Sequence, residues 1–138
     1  MSGTYSETPT QAQIRRALKR IPALQQDEIV ATRYLGLSVY WKTRFFNALD
    51  MNRGSIKHFA FDQRGWHRFS RLDNPIFAQI DIDQYPETRS MRMGRRVDLY
   101  GTIVKVDTVL GITLELDRFE ILPLTLYDRF VQREDSRH

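Results

Sequence analysis

Hydrophobic residues recur at two different periods along the chain, and the period changes near residue 36. Between Thr10 and Pro22, apolar residues lie three and four positions apart, which is the spacing of one face of a helix. Thr10 is a suitable N-cap, and Pro22 cannot continue the helix. A second short helix is predicted over residues 25–35, with Asp27 and Glu28 in its first turn and Gly36 as its C-cap.

Beyond Gly36, apolar and polar residues alternate, which is the period of a β-strand. The predicted strands cover residues 37–46, 55–63, 75–86, 96–107 and 109–117, and residues 118–124 extend the last pairing. In the fourth strand the apolar positions change parity between Gly101 and Val104, as a bulge or a sharp bend requires. Such a bend is typical of a barrel corner.

Two segments resemble a known family. The segment "YLGLSVYW", Tyr34 to Trp41, resembles the start of the first strand in bacterial OB-fold domains of the tRNA-anticodon-like group. The stretch "MGRRVDLYGTIVKVD", which begins at Met93, is similar to the fourth strand of those domains. The likeness covers roughly residues 34–122 and implies a five-stranded barrel, a fold that serves nucleic-acid binders, protein-interaction modules and sugar binders alike.

The strand pattern and the resemblance together predict a mainly β protein. We expect a small five-stranded OB-like Greek-key barrel preceded by one or two short N-terminal helices. The predicted parts are a disordered tail (1–10), a helical N-terminal extension (11–35), the OB-like barrel (36–124) and a charged C-terminal helix or tail (125–138).

Length and composition narrow the class of protein. A chain of 138 residues is near the commonest size of a single domain. It contains no cysteine, which excludes a disulfide framework and a thiolate nucleophile. The N-terminal residues lack the pattern of a secretory signal, and no run approaches the ~18 apolar residues of a membrane span. A cytoplasmic protein without a membrane partner is expected.

Positive charge is concentrated in the centre of the chain. The formal net charge is +4, but residues 36–105 hold 12 Lys and Arg against 7 Asp and Glu, whereas residues 106–138 hold 4 against 7. Summed like charges attract polyanions, so this asymmetry favours an anionic partner for the central segment. A mildly basic, solvated surface explains the same numbers.

The first predicted strand carries rings beside cations on one face. If Val39, Trp41 and Phe45 point inward, the outward row consists of Tyr40, Lys42, Arg44 and Phe46. Such a row suits single-stranded nucleic acid, because bases stack on aromatic rings while cations contact phosphates. Alternatively the N-terminal helices pack across this face, and its two rings are then core residues.

Two further segments combine cations with rings or with each other. In the connector between the second and third strands, the candidates are Arg64, Trp66 and Arg68. OB-fold ligands contact the face of strands two and three and the flanking loops, so this connector is well placed, although a loop tryptophan can also fold over a barrel end. Before the fourth strand, the candidates for phosphate contacts are Arg92, Arg95 and Arg96, and a solvated loop is the alternative.

Catalysis and metal binding have little support. His58 and His67 lack the short spacing of metal ligands, and no nucleophile motif or phosphate-binding loop is present. We therefore expect no enzyme, no metal and no cofactor. Asp81 and Asp83 are predicted on one outward face of the third strand, where they would oppose a polyanion.

Two functions stay open from the sequence. The first is a non-enzymatic OB-like module that binds single-stranded nucleic acid through an aromatic and basic face. The alternative is a protein–protein interaction or adaptor module without nucleic-acid binding, and a monomer or a homodimer is compatible with either.

Overall fold

The computed structural model describes residues 4–49, 54–63 and 75–124. Its helices are α1 (Gln11–Lys19), α2 (Ala23–Arg33) and a short 3₁₀ helix (Pro86–Ser90). Its strands are β1 (Ser38–Leu49), β2 (Ile56–Gln63), β3 (Ile76–Asp81), β4 (Arg96–Asp107) and β5 (Gly111–Ile121). The expectation of a mainly β protein with two short N-terminal helices is confirmed.

The five strands form a closed barrel in the order β1-β2-β3-β5-β4, and β1 closes it by pairing with β4. The pair β3 and β5 is parallel, and the other four pairs are antiparallel. A five-stranded Greek-key barrel with this connectivity is the OB-like fold that the sequence predicts. Because β3 lies beside β5, the outer faces of β2, β3 and β5 form one continuous surface.

The interior of the barrel is filled by alternate residues of each strand. Val39, Trp41 and Phe45 are buried, as the period of two predicts for β1. Thr43 is also buried, and its hydroxyl donates a hydrogen bond of 2.7 Å to the carbonyl oxygen of Val97. The other strands contribute Phe59, Phe61, Ile76, Ile80, Leu99, Ile103, Ile112 and Leu114.

The predicted bend in β4 is present as two shifts of register against β5, one at Tyr100/Gly101 and the other at Ile103/Lys105. Gly101 faces β5 so closely that a Cβ atom there would lie 2.5 Å from the carbonyl oxygen of Glu115. The close approach of the two backbones therefore requires glycine at the bend.

Both helices contribute side chains to the hydrophobic core. Thr10 and Gln13 form a capping box at the start of α1, and Ile14 and Leu18 belong to the same hydrophobic core as the strands. The helix α2 starts at Ala23, two residues earlier than predicted. Its first turn contains no acidic residue, so the placement of Asp27 and Glu28 there was wrong.

The sequence predicts a disordered tail over residues 1–10. In the structure, residues 4–10 lie along β1. Ser6 forms a parallel bridge with Val39, and the indole Nε1 of Trp41 donates to the carbonyl oxygen of Pro9 at 3.1 Å. The predicted tail at 125–138 falls outside the described residues. Within the described residues, no helix is long and apolar enough to cross a membrane.

Candidate functional site

Tyr40 is held by contacts within the protein. Its ring stacks on Tyr100 with the centroids 4.6 Å apart, and its hydroxyl donates a hydrogen bond of 2.9 Å to Oδ2 of Asp98. Burial and the bond to Asp98 raise the pKa of Tyr40 well above its ordinary value of 10.0. The structure therefore gives this ring a packing role on the barrel wall.

Tyr100 is covered from further directions. The edge of Tyr5 points at its ring with the centroids 5.4 Å apart, and the guanidinium carbon of Arg118 lies 3.9 Å from its centroid. The hydroxyl of Tyr5 donates a 2.7 Å hydrogen bond to Oδ2 of Asp117, and that bond raises the pKa of Tyr5. The cover over this face comes from the N-terminal segment, whereas the sequence suggested the helices.

The other predicted members of the β1 row have separate environments. Lys42 is exposed and forms an ion pair of 3.7 Å with Glu7. Arg44 is half-buried, and its Nη1 donates to the carbonyl oxygen of Gly94 at 3.3 Å. Phe46 is 38% exposed and falls where the pairing of β1 with β2 shifts register, so it does not continue the row regularly.

The three arginines at the start of β4 have different environments. Nε of Arg95 donates to the carbonyl oxygen of Leu122 at 2.9 Å, which ties the start of β4 to the end of β5. Arg96 is half-buried and lies opposite Arg44 in the β1–β4 register. Arg92 is exposed in the turn that precedes the strand. Because Arg96 has the same parity as Tyr100 on β4, it lies on the outer face that carries Tyr40 and Arg44.

The remaining sequence candidates, Arg64, Trp66 and Arg68, lie outside the described residues and stay predictions. In the chain they connect the end of β2 to the start of β3.

A groove runs over the outer face of β2, β3 and β5 and is bounded by the β4–β5 hairpin. Its volume is about 660 Å³, which is within the ~300–1,000 Å³ of small-ligand sites. Side chains that line it include His58, Phe77, Gln79, Lys105, Leu110 and Thr113. We call this surface the β2–β3–β5 groove.

The floor of the groove combines one aromatic ring with polar side chains. Phe77 faces outward because its neighbours Ile76 and Ala78 point into the barrel, and it is half-buried. A Cβ atom at Gly111 would lie 3.2 Å from Cε2 of Phe77, so the ring rests against that glycine. Nε2 of His58 is 3.4 Å from Nε2 of Gln79 on the neighbouring strand.

The hairpin rim of the groove is partly apolar and carries charges of both signs. Val104, Val109 and Leu110 are 44%, 79% and 61% exposed. The sequence pattern predicts Leu110 within the last strand, but Leu110 belongs to the turn, because β5 starts at Gly111. Exposed Lys105 supplies a cation, and exposed Glu115 supplies an acid.

The hairpin is fixed by a carboxylate. Oδ1 of Asp107 accepts hydrogen bonds from the backbone N–H groups of Val109 and Leu110 at 2.8 and 2.9 Å. Both hydrogen bonds lower the pKa of Asp107, and the bond from Leu110 has the larger effect. The lowered pKa favours the ionised carboxylate, so Asp107 is a second acid in the groove lining beside Glu115.

Asp81 and Asp83 close the turn after β3. Oδ1 of Asp81 accepts the N–H of Asp83 at 3.0 Å, and Asp83 forms an ion pair with Arg89. Hydrogen bonds from Ser55 and from that backbone N–H lower the pKa of Asp81. Neither acid lines the groove, so the objection that they raise against a polyanion does not apply to it.

The sequence pattern does not identify the groove residues as a site. A usable signal was the parity of Phe77, which shares the outward face with Gln79 while the isoleucines take the other face. Lys105 and Thr113 gave no such signal, because their approach to β2 and β3 depends on the closure of the barrel. Among the described residues, no three His, Asp or Glu side chains are grouped to hold a metal ion.

No protein-family model matches the sequence, and no curated protein matches it either. Several solved structures are similar to it. One is TiaS in a complex with a tRNA, AMPCPP and agmatine, at 20% identity and a TM-score of 0.44, covering 64% of this chain and 19% of that chain. Another is OBody AM1L10 bound to hen egg-white lysozyme, at 12% identity and a TM-score of 0.46, covering 66% of this chain and 83% of that chain.

A third similar structure is described as an aspartyl-tRNA synthetase of Leishmania major Friedlin, at 12% identity and a TM-score of 0.49. The match covers 72% of this chain and 20% of that chain. The chain thus spans about a fifth of the length of two of these structures. The OB-like assignment rests on the strand order of the barrel, and membership of a tRNA-anticodon-like group stays a prediction.

Proposed function

We propose that this chain is a non-enzymatic OB-like module that binds single-stranded nucleic acid in the β2–β3–β5 groove. The observation that carries the proposal is the outward ring of Phe77, which lies in an open groove beside hydrogen-bonding side chains and Lys105. The ring of Tyr40, in contrast, is already stacked on Tyr100, which Tyr5 also contacts.

The groove chemistry fits an unpaired base. A base stacked on one aromatic ring gains ~1–3 kcal/mol, and stacking accepts every base. His58, Gln79 and Thr113 offer donors and acceptors to the exposed edge of such a base. Lys105, at the hairpin rim, can contact a backbone phosphate.

The charges of the groove predict a shallow dependence on salt. Lys105 is opposed by two acids of the lining, Glu115 and Asp107. Each phosphate neutralised on a single strand contributes ~0.7 to the slope of log affinity against log salt. Lys105 is the one Lys or Arg in the described lining of the groove, so a single phosphate contact gives a slope of about 0.7, and stacking supplies most of the binding energy.

The test is fluorescence anisotropy of labelled mixed-sequence single-stranded DNA and RNA at about 50 and 200 mM salt, a range over which phosphate contacts weaken measurably. Phe77→Leu removes the ring but keeps an apolar side chain, and we expect a loss of ~5-fold or more. Phe46→Leu is the matched control, because Phe46 is exposed outside the groove. Lys105→Ala is expected to lower the salt slope by ~0.7, whereas Lys42→Ala leaves it unchanged.

Two results would contradict the proposal: no binding at the lower salt concentration, or equal losses of affinity in each variant and its control.

The exposed apolar rim of Val104, Val109 and Leu110 favours a second function, which is binding of a protein or peptide in the same groove. In that case the oligonucleotide does not bind, and a protein or peptide is the expected ligand of the groove.

A further inference from the structure

The N-terminal segment, residues 5–8, is seated on the barrel like a bound peptide. The N–H of Ser6 donates to the carbonyl oxygen of Ser38 at 3.2 Å, and the N–H of Tyr40 donates to the carbonyl oxygen of Ser6 at 3.0 Å. Ser6 thereby forms a parallel bridge with Val39. The segment continues the sheet by main-chain hydrogen bonds, which is the general mode of strand addition.

The receiving edge exists because β1 is longer than its pairing with β2. The β1–β2 register runs from Thr43 to Leu49, whereas β4 pairs with β1 from Ser38 to Arg44. The first residues of β1 therefore have one side that neither strand occupies. Such an edge can take an added strand, and residues 5–8 occupy it here.

Two side chains of the segment meet complementary groups on the same outer face. Tyr5 places its ring edge on Tyr100 and donates its hydroxyl to Asp117. Glu7 pairs with Lys42 at 3.7 Å. Because the two residues are two positions apart, they project to one side of an extended chain. The intervening Ser6 supplies the main-chain bonds.

We infer that the edge of β1 at residues 38–40, with Tyr100, Asp117 and Lys42, is a peptide-binding surface that the chain's own residues 5–8 occupy and can vacate. The partner is an extended peptide that carries a tyrosine and, two residues later, an acidic side chain. This inference does not depend on nucleic-acid binding in the groove, which is lined by other residues.

Most side chains of the segment are exposed to solvent. Ser6, Glu7 and Thr8 are exposed, and the Glu7–Lys42 pair is solvent-exposed on both sides. Exposed ion pairs contribute little, so the main-chain bonds and the Tyr5 contacts hold most of the segment. Tethering gives the segment an effective concentration in the millimolar range, with which a free peptide must compete.

The test uses the full chain and a labelled synthetic peptide with the sequence of residues 2–10. The variant Tyr5→Ala/Glu7→Ala weakens the tethered segment, and we expect it to bind the free peptide about tenfold more tightly than the wild-type chain does. Thr4→Ala is the matched control and is expected to behave like wild type. A peptide that carries Tyr5→Ala is expected to lose binding to the double variant.

Hydrogen exchange gives a second readout that needs no peptide. The Tyr40 amide donates to Ser6, so its exchange is expected to accelerate in the Tyr5→Ala/Glu7→Ala variant and to remain slow in Thr4→Ala. Unchanged exchange at Tyr40 overturns the inference, because the segment is then held by something else. Equal peptide affinity of wild type and double variant, or no binding to the variant at millimolar peptide, also overturns it.

Discussion

Replacing Tyr40 by phenylalanine tests whether this residue packs the barrel wall. The change keeps the ring stacked on Tyr100 and removes the hydroxyl that donates to Oδ2 of Asp98 at 2.9 Å. Asp98 is 7% exposed, and its other oxygen, Oδ1, is buried with no hydrogen-bond partner among the described residues. The variant therefore leaves a buried carboxylate short of a donor.

The expected cost follows from that environment. Hydrogen bonds to charged groups contribute ~1.5–3 kcal/mol, and an orphaned buried acceptor is at the upper side of that range. For a domain of this size, such a loss lowers the melting temperature by roughly 5–10 °C. Urea denaturation of wild type, Tyr40→Phe, Asp98→Asn and the double variant isolates the interaction in a double-mutant cycle.

The same bond gives a signature at alkaline pH. The pKa of Tyr40 in the folded protein is raised above 10.0. The hydrogen bond to Asp98 therefore contributes fully to the free energy of unfolding below about pH 10, and this contribution is lost as the pH rises toward the folded pKa. The difference in free energy of unfolding between wild type and Tyr40→Phe should shrink over that range. An interaction energy below about 0.5 kcal/mol, with no such trend, would refute the packing role.

Three further changes test the structure elsewhere. Leu18→Ala is expected to cost ~2–5 kcal/mol in urea denaturation, because Leu18 is fully buried, whereas Leu24→Ala at a fully exposed position is expected to cost less than about 0.5 kcal/mol; equal costs would show that α1 does not belong to the core. Gly111→Ala places a Cβ atom 2.2 Å from a carbonyl oxygen at a φ of +129°. Its melting temperature should be well below that of Gly54→Ala, because a Cβ atom at residue 54 has no neighbour within 4 Å. Matching melting curves would contradict this. Asp107→Ala is expected to lower the free energy of unfolding by about 1 kcal/mol at pH 7. This loss should vanish as the pH falls through the lowered folded pKa of Asp107. A loss that stays the same from about pH 7 to pH 2 would exclude a stabilising role of the carboxylate hydrogen bonds.

The parts of the fold that local pattern controls could be predicted from the sequence. Alternation placed Val39, Trp41 and Phe45 inside the barrel, and the change of parity near Gly101 indicated the bend in β4. Thr10 was identified as a helix cap from its residue type and position. Each of these features depends on neighbours within a few residues, which is why a sequence pattern suffices.

Long-range contacts determined what the sequence could not reveal. Residues 4–10 have the composition of a tail, and what orders them is the free edge of β1, which exists only in the folded barrel. The ring row of β1 appeared open because nothing local indicated that Tyr5 covers Tyr100. The groove likewise required the closure that brings β5 beside β3, so its hairpin rim could not be placed next to Phe77 in advance.

Mapping the backbone amide shifts of isotope-labelled protein during titration with single-stranded oligonucleotide tests the central claim most directly. Nucleic-acid binding in the β2–β3–β5 groove predicts shifts that saturate and cluster in residues 57–61, 76–80 and 104–116, with residues 38–44 unchanged. Shifts confined to residues 38–44, or none at low salt, would contradict the assignment of this groove as a nucleic-acid site.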